Sequence, residues 1–277
     1  MKKLLQRPLL SLLAAATLTL PGAPLSAQVN LPALGDSVSQ DLDVGAERQL
    51  GERYMRSIRL DPAVVQDPLM QEYMEGVFQP LVGASRKLGH IGEDIQARFA
   101  WESFLVEDKT INAFALPGGF VGTHLGLIAM TVSRDELASV LAHEISHVEK
   151  RHRLTAMAQS AGLSATVAIL FGDLGRVASA GADLLSLKFS RDHERDADST
   201  GLGLLVKAGL QPAAMASFFR KMAAQGGSVP AFLSTHPPSE ERFAAIEAAV
   251  ALLPEAARAA KPLQLDYASI KAALPNR

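Results

Sequence analysis

Residues 133–148 constrain this chain more tightly than any other stretch. Ser133 and Glu136 have the spacing of a capping box, which fixes a helix start by satisfying its first backbone N–H groups. Leu137, Val140, Leu141, Ile145 and Val148 follow at helical spacing, so the helix must bury one face. Beside that stripe stand His143, Glu144 and His147, an H-E-x-x-H. Side chains four apart share a helix face, so both imidazoles can reach one metal ion. Glu144 is offset around the helix, where a carboxylate can hold a metal-bound water without itself being a ligand. The competing reading is two histidines at a basic helix C-terminus, with Lys150, Arg151 and Arg153 close behind.

Composition narrows the chemistry. The chain has no cysteine, which removes disulfide frameworks, thiolate-ligated zinc and thiol nucleophiles. Lys+Arg 27 against Asp+Glu 29 leaves a net charge of −2, without the basic excess of a nucleic-acid binder. A site built from histidines and carboxylates therefore needs a third ligand and, for catalysis, an open position. His152, His193 and Glu194 are the downstream candidates. On a continuous helix His152 points away from His147, so it reads as a surface residue. Ser190 to Asp198 opens a second helix with Gly209 as its stop. There Glu194 and Asp198 share a face, so Glu194 can ligate while Asp198 accepts from the far nitrogen of a ligand histidine. His193 lies a quarter-turn away, near the site without ligating.

Residues 1–27 read as a cleaved signal peptide: Lys2, Lys3 and Arg7, an apolar run from Leu9 to Leu20, then Pro21-Gly22 and Leu25-Ser26-Ala27. Losing those three cations takes the charge from −2 to −5, and a periplasmic location follows. Helices are expected over Val44–Ile58 and from the Asp-Pro starts at Asp61 and Asp67. Strands are expected within Ala97–Val106, over Ile111–Leu116 and from Phe120. Pro117-Gly118-Gly119 forces a reversal. From Ser133 to Leu253 the pattern is helical, interrupted between Gln225 and Pro238. A small β-sheet beside a mostly helical body reads as α+β, with one domain over 28–253 and a short Ala/Pro-containing tail over 254–277.

Four motifs in order give the sequence a family likeness. They are Asn112-Ala113-Phe114-Ala115 with Pro117-Gly118-Gly119, then His143-Glu144 to His147, Glu194-Arg195-Asp196-Ala197-Asp198, and Thr235-His236-Pro237-Pro238-Ser239-Glu240-Glu241-Arg242. From about Gln40 to Ile246 the chain resembles the HtpX-like and BepA-like zinc metallopeptidases, a gluzincin group, and looks closer to the single-domain periplasmic type. The resemblance implies a gluzincin-like fold and one zinc held by His143, His147 and Glu194. It also implies Glu144 as general base and Asp198 behind a ligand. BepA-like members carry a tetratricopeptide array after the peptidase domain, where this sequence has its short tail.

The expected function is a zinc endopeptidase acting on unfolded or misassembled exported proteins. The alternative is a latched, weakly active zinc protein with a chaperone-like binding role. His236, aimed by the following prolines, either donates to the oxyanion or fills the open metal position as a latch hinged at Gly226-Gly227. Asn112, Ala113 and Phe114 are the expected substrate strand, by β-augmentation. Leu154 to Gly172 carries no charge over 19 residues. A crossing there would part Glu194 from His143 and His147, so it reads as a helical pair, with peripheral membrane contact left open.

Overall fold

The computed structural model describes residues 42–172, 186–224, 230–259 and 267–274. The expected leader, the hinge glycines and most of the return segment Asp173–Phe189 lie outside them.

The first helix, α1 (Val44–Ile58), starts where Asp43 accepts the Ala46 N–H at 2.6 Å. The Asp61-Pro62 start does not become a helix. Asp61 instead closes a turn on the Ala63 N–H, and the β-branched Val64 bridges to Val106, so strand pairing overrides the local cap. Asp67 does cap α2 (Pro68–Leu88), accepting from Leu69 and Met70. A short helix, α3 (Glu93–Arg98), takes Ala97 and Arg98 out of the expected strand.

The sheet has three strands, β1 (Glu102–Val106), β2 (Ala113–Leu116) and β3 (Phe120–His124), in the order β1-β3-β2. β3 pairs parallel to β1 and antiparallel to β2, leaving β2 at an edge. The β2–β3 reversal needs positive φ at Gly118 and Gly119, 78° and 93°, conformations that other residues adopt only at a cost. Alternation divides the core in two. Leu105, Ala113, Ala115 and Val121 face one apolar cluster, whereas Phe104, Phe114, Leu116 and Phe120 face another with Leu50 and Tyr54 of α1.

A helix unmarked in the sequence, α4 (Leu125–Met130), leads to the central α5 (Arg134–Glu149). Ser133 accepts from the Glu136 N–H, and Glu136 reaches back to the Val132 N–H, one residue before the usual partner. Every residue of α5 is buried. The uncharged stretch is broken at Gly162 into α6 (His152–Ala161) and α7 (Leu163–Phe171). Among the described residues no helix is long and apolar enough to cross a membrane.

Helix α8 (Arg191–Ala208), capped by Ser190 and stopped at Gly209, lies against α5. At Gly201 a β-carbon would sit 3.2 Å from the His143 backbone nitrogen, so glycine there lets the two helices approach closely. Then come α9 (Ala213–Ala223), the short α10 (Ala231–Thr235) and α11 (Glu240–Leu252), the last capped by Ser239. The tail holds α12 (Glu255–Arg258) and α13 (Tyr267–Ala272), and Ile270 joins the main core.

Candidate metal centre

His143 and His147 sit on successive turns of α5, fully buried, with their Nε2 atoms 3.1 Å apart. The first turn of α8 brings Glu194 to them: Oε2 is 3.7 Å from His143 Nε2, and Oε1 is 3.5 Å from His147 Nε2. His236, just beyond α10, completes the group. One donor atom from each of His143, His147, Glu194 and His236 lies within 4.8 Å of all the others.

His236 is held by its own turn. Its ring stacks on Phe232 at 4.2 Å, and Nδ1 lies 3.1 Å from the Phe232 carbonyl and 3.0 Å from Thr235 Oγ1. A carbonyl can only accept, so the single proton of the neutral ring stands on Nδ1. Nε2 therefore presents a lone pair to the cluster.

Burial sets the electrostatics. It lowers the pKa of all three imidazoles, His147 and His236 well below the ordinary value, leaving them neutral, as metal ligation requires. Burial pushes Glu194 well up against the charge of Arg242. It also raises Glu144 to about 8, against Arg153 and the Ala115 backbone. Among the described residues, Nε2 of His236 has no hydrogen-bond partner and neither carboxylate oxygen of Glu144 has a side-chain one. Three converging imidazoles and a carboxylate, with unpartnered polar atoms beside them, form a donor set of the zinc type. The group could hold a metal.

Behind it, Asp198 Oδ1 lies 3.0 Å from His143 Nδ1. Burial alone would raise Asp198, but hydrogen bonds from Arg242 and His143 hold it below the usual range. Arg242 grips Asp198 with two hydrogen bonds of 2.7 and 2.8 Å and pairs with Glu194 at 2.5 Å.

These contacts bring together the expected ligands, base, backing carboxylate and loop histidine. The expected substrate strand divides. Asn112 and Phe114 line a cavity of about 440 Å³ with Phe104, Val106 and Thr235, while Ala113 is buried in the core on the opposite face.

Residues 84–250 match the model of peptidase family M48. The chain belongs to that family. Among its relatives, a putative beta-barrel assembly-enhancing protease of Vibrio cholerae is 34% identical, over 86% of this chain and 50% of its own. The beta-barrel assembly-enhancing protease of Escherichia coli K12 is 33% identical over 77% and 46%. The mitochondrial metalloendopeptidase OMA1 of Schizosaccharomyces pombe is 39% identical over 53% and 46%. The chain spans about half the length of these curated relatives.

Three residues of this M48 chain escaped the sequence reading. His152, expected at the surface, is 1% exposed and touches His147. Arg242 closes the fourth motif, but the sequence assigned it no role, and the structure places it against Asp198 and Glu194. Arg153, expected in a basic helix end, is buried beneath Phe189 with its pKa lowered by burial to about 10. His193 is near the site without joining the four, as expected, stacked on His152 at 4.4 Å.

Proposed function

We propose that this chain is a zinc-dependent endopeptidase that cleaves unfolded or misassembled exported proteins. The convergence of His143, His147, Glu194 and His236, with Glu144 beside them, carries this reading. His143, His147 and Glu194 hold one zinc per chain, and Asp198 orients His143. A cation held there supplies Lewis acidity and makes water a nucleophile at neutral pH. Glu144, buried beside the cluster, takes the proton of the attacking water and delivers it to the leaving amine. An extended substrate adds to the free edge of β2, with Ala113 contributing backbone while Asn112 and Phe114 wall the cavity that receives a side chain.

The leader expected over 1–27 puts the protein in the periplasm. Two relatives named for beta-barrel assembly support envelope proteins as the substrate class. A second reading, a latched chaperone-like factor, draws on the lone pair that His236 turns toward the cluster. In it the ring fills the fourth position and the protein holds substrates while cleaving little.

The deciding experiment is digestion of casein by the purified protein beside Glu144→Gln, with zinc quantified in both. The proposal expects about one zinc in each and a loss of cleavage in the variant of at least ~100-fold. Equal cleavage by both overturns the role of Glu144, and zinc in neither overturns the ligand set.

A further inference from the structure

His152 lies five residues beyond His147, and on an unbroken helix it would project about 140° around the axis from it. The chain is not unbroken. Arg151 adopts the left-handed conformation at φ 54°, ending one helix and starting the next. Its guanidinium is pinned to Glu47 at 2.6 Å and to the Leu42 carbonyl at 2.8 Å, both at α1 or its start. This turn swings His152 back under α5, where Nδ1 lies 3.0 Å from Nδ1 of His147. On its far side, His152 Nε2 is 3.4 Å from Oδ2 of Asp196, which is 40% exposed and faces Lys150 at 3.6 Å.

Proton counting gives this chain one direction. His147 turns Nε2 to the cluster, so a neutral ring that ligates through Nε2 carries its proton on Nδ1. Among the described residues that proton has one acceptor, Nδ1 of His152, whose own proton then stands on Nε2 and points at Asp196. Each ring needs one proton and each contact has one donor. We propose that His152, backed by Asp196, is a positioning residue that fixes the tautomer and orientation of His147. The proposal rests on reading His147 as a metal ligand. It makes the two helix histidines unequal: His143 leans directly on the buried Asp198, and His147 leans on a carboxylate at the surface through an intervening imidazole.

The test compares zinc affinity of the full chain and three variants by competition with a chromophoric chelator, and records the visible spectrum of the Co²⁺-loaded forms. His152→Phe keeps the ring volume and loses the hydrogen bonds. It should bind zinc ~10- to 100-fold more weakly, with an altered Co²⁺ band. His152→Gln can still accept from His147 and donate to Asp196, and should recover most of that loss. Asp196→Asn, at a part-exposed position, should weaken binding by roughly threefold, toward the low end of outer-shell effects. Its apoprotein melting temperature should stay unchanged, and it keeps the test decisive if a His152 variant misfolds. Wild-type affinity in His152→Phe, or a Gln variant as weak as the Phe one, overturns the relay alone. A wild type that holds no zinc overturns the metal reading and the relay with it.

Discussion

Nε2 of His236 stands 3.4 Å from Oε1 of Glu144, and no hydrogen bond joins them. With the ring proton committed to the Phe232 carbonyl, the facing atoms are a lone pair and a carboxylate oxygen. In this arrangement His236 is suited to ligate and is not a hydrogen-bond donor to an oxyanion.

Replacing it should therefore free a coordination position and leave three ligands in place. We expect His236→Ala to retain about one zinc per chain and to digest casein ~3- to 10-fold faster than wild type, because the competent form no longer competes with a closed one. A fall in rate with zinc retained would return His236 to the oxyanion.

Arg242 ties Asp198 to Glu194 from one buried guanidinium. Removing it leaves two buried carboxylates without their cation. Arg242→Met should lower unfolding free energy by about 3–5 kcal/mol and reduce bound zinc below one per chain. Arg242→Lys keeps the charge without the fork and should fall between. Urea denaturation and metal analysis read both effects, and a Met variant as stable as wild type would refute the assignment.

The pH dependence of stability has a source away from the chemistry. Burial raises Glu149 from 4.5 to about 7, against the hydroxyl of Ser85 and the charge of Lys150. The folded state thus holds this proton more tightly than the unfolded chain. The stabilisation is complete below about pH 4.5 and is lost as the pH rises toward 7. Glu149→Gln can still accept from Ser85 and should remove that loss. It should raise stability at pH 8 by on the order of 2–3 kcal/mol and change it little at pH 4.5. Equal effects at the two pH values would show that Glu149 does not titrate in this range.

What was legible in the sequence was local. Asp43, Asp67, Ser133 and Ser190 each bond backbone N–H groups within three residues, so helix starts could be read from short windows. The His143–His147 pair and the Glu194–Asp198 pair follow from the helical repeat alone. The Asp61 start failed because its competitor, Val106, lies far along the chain. Arg242 stood in a motif without a role because its partner Asp198 is 44 residues away. His152 was misplaced by a single backbone angle at Arg151, which no side-chain pattern encodes. The edge position of β2 likewise depends on pairing order, since β3 inserts between strands that precede it.

All sixteen residues of α5 are buried, including those that would do the chemistry. A helix at the surface can rock, fray or tilt while the rest of the molecule stands still. This one cannot expose its face without opening both the core and the cluster, so for α5 motion and unfolding are the same event. Whatever movement admits a substrate must come from the walls, from short elements such as α10, whose C-terminal end places His236. The floor supplies fixed geometry, and traffic through the site is left to its margins.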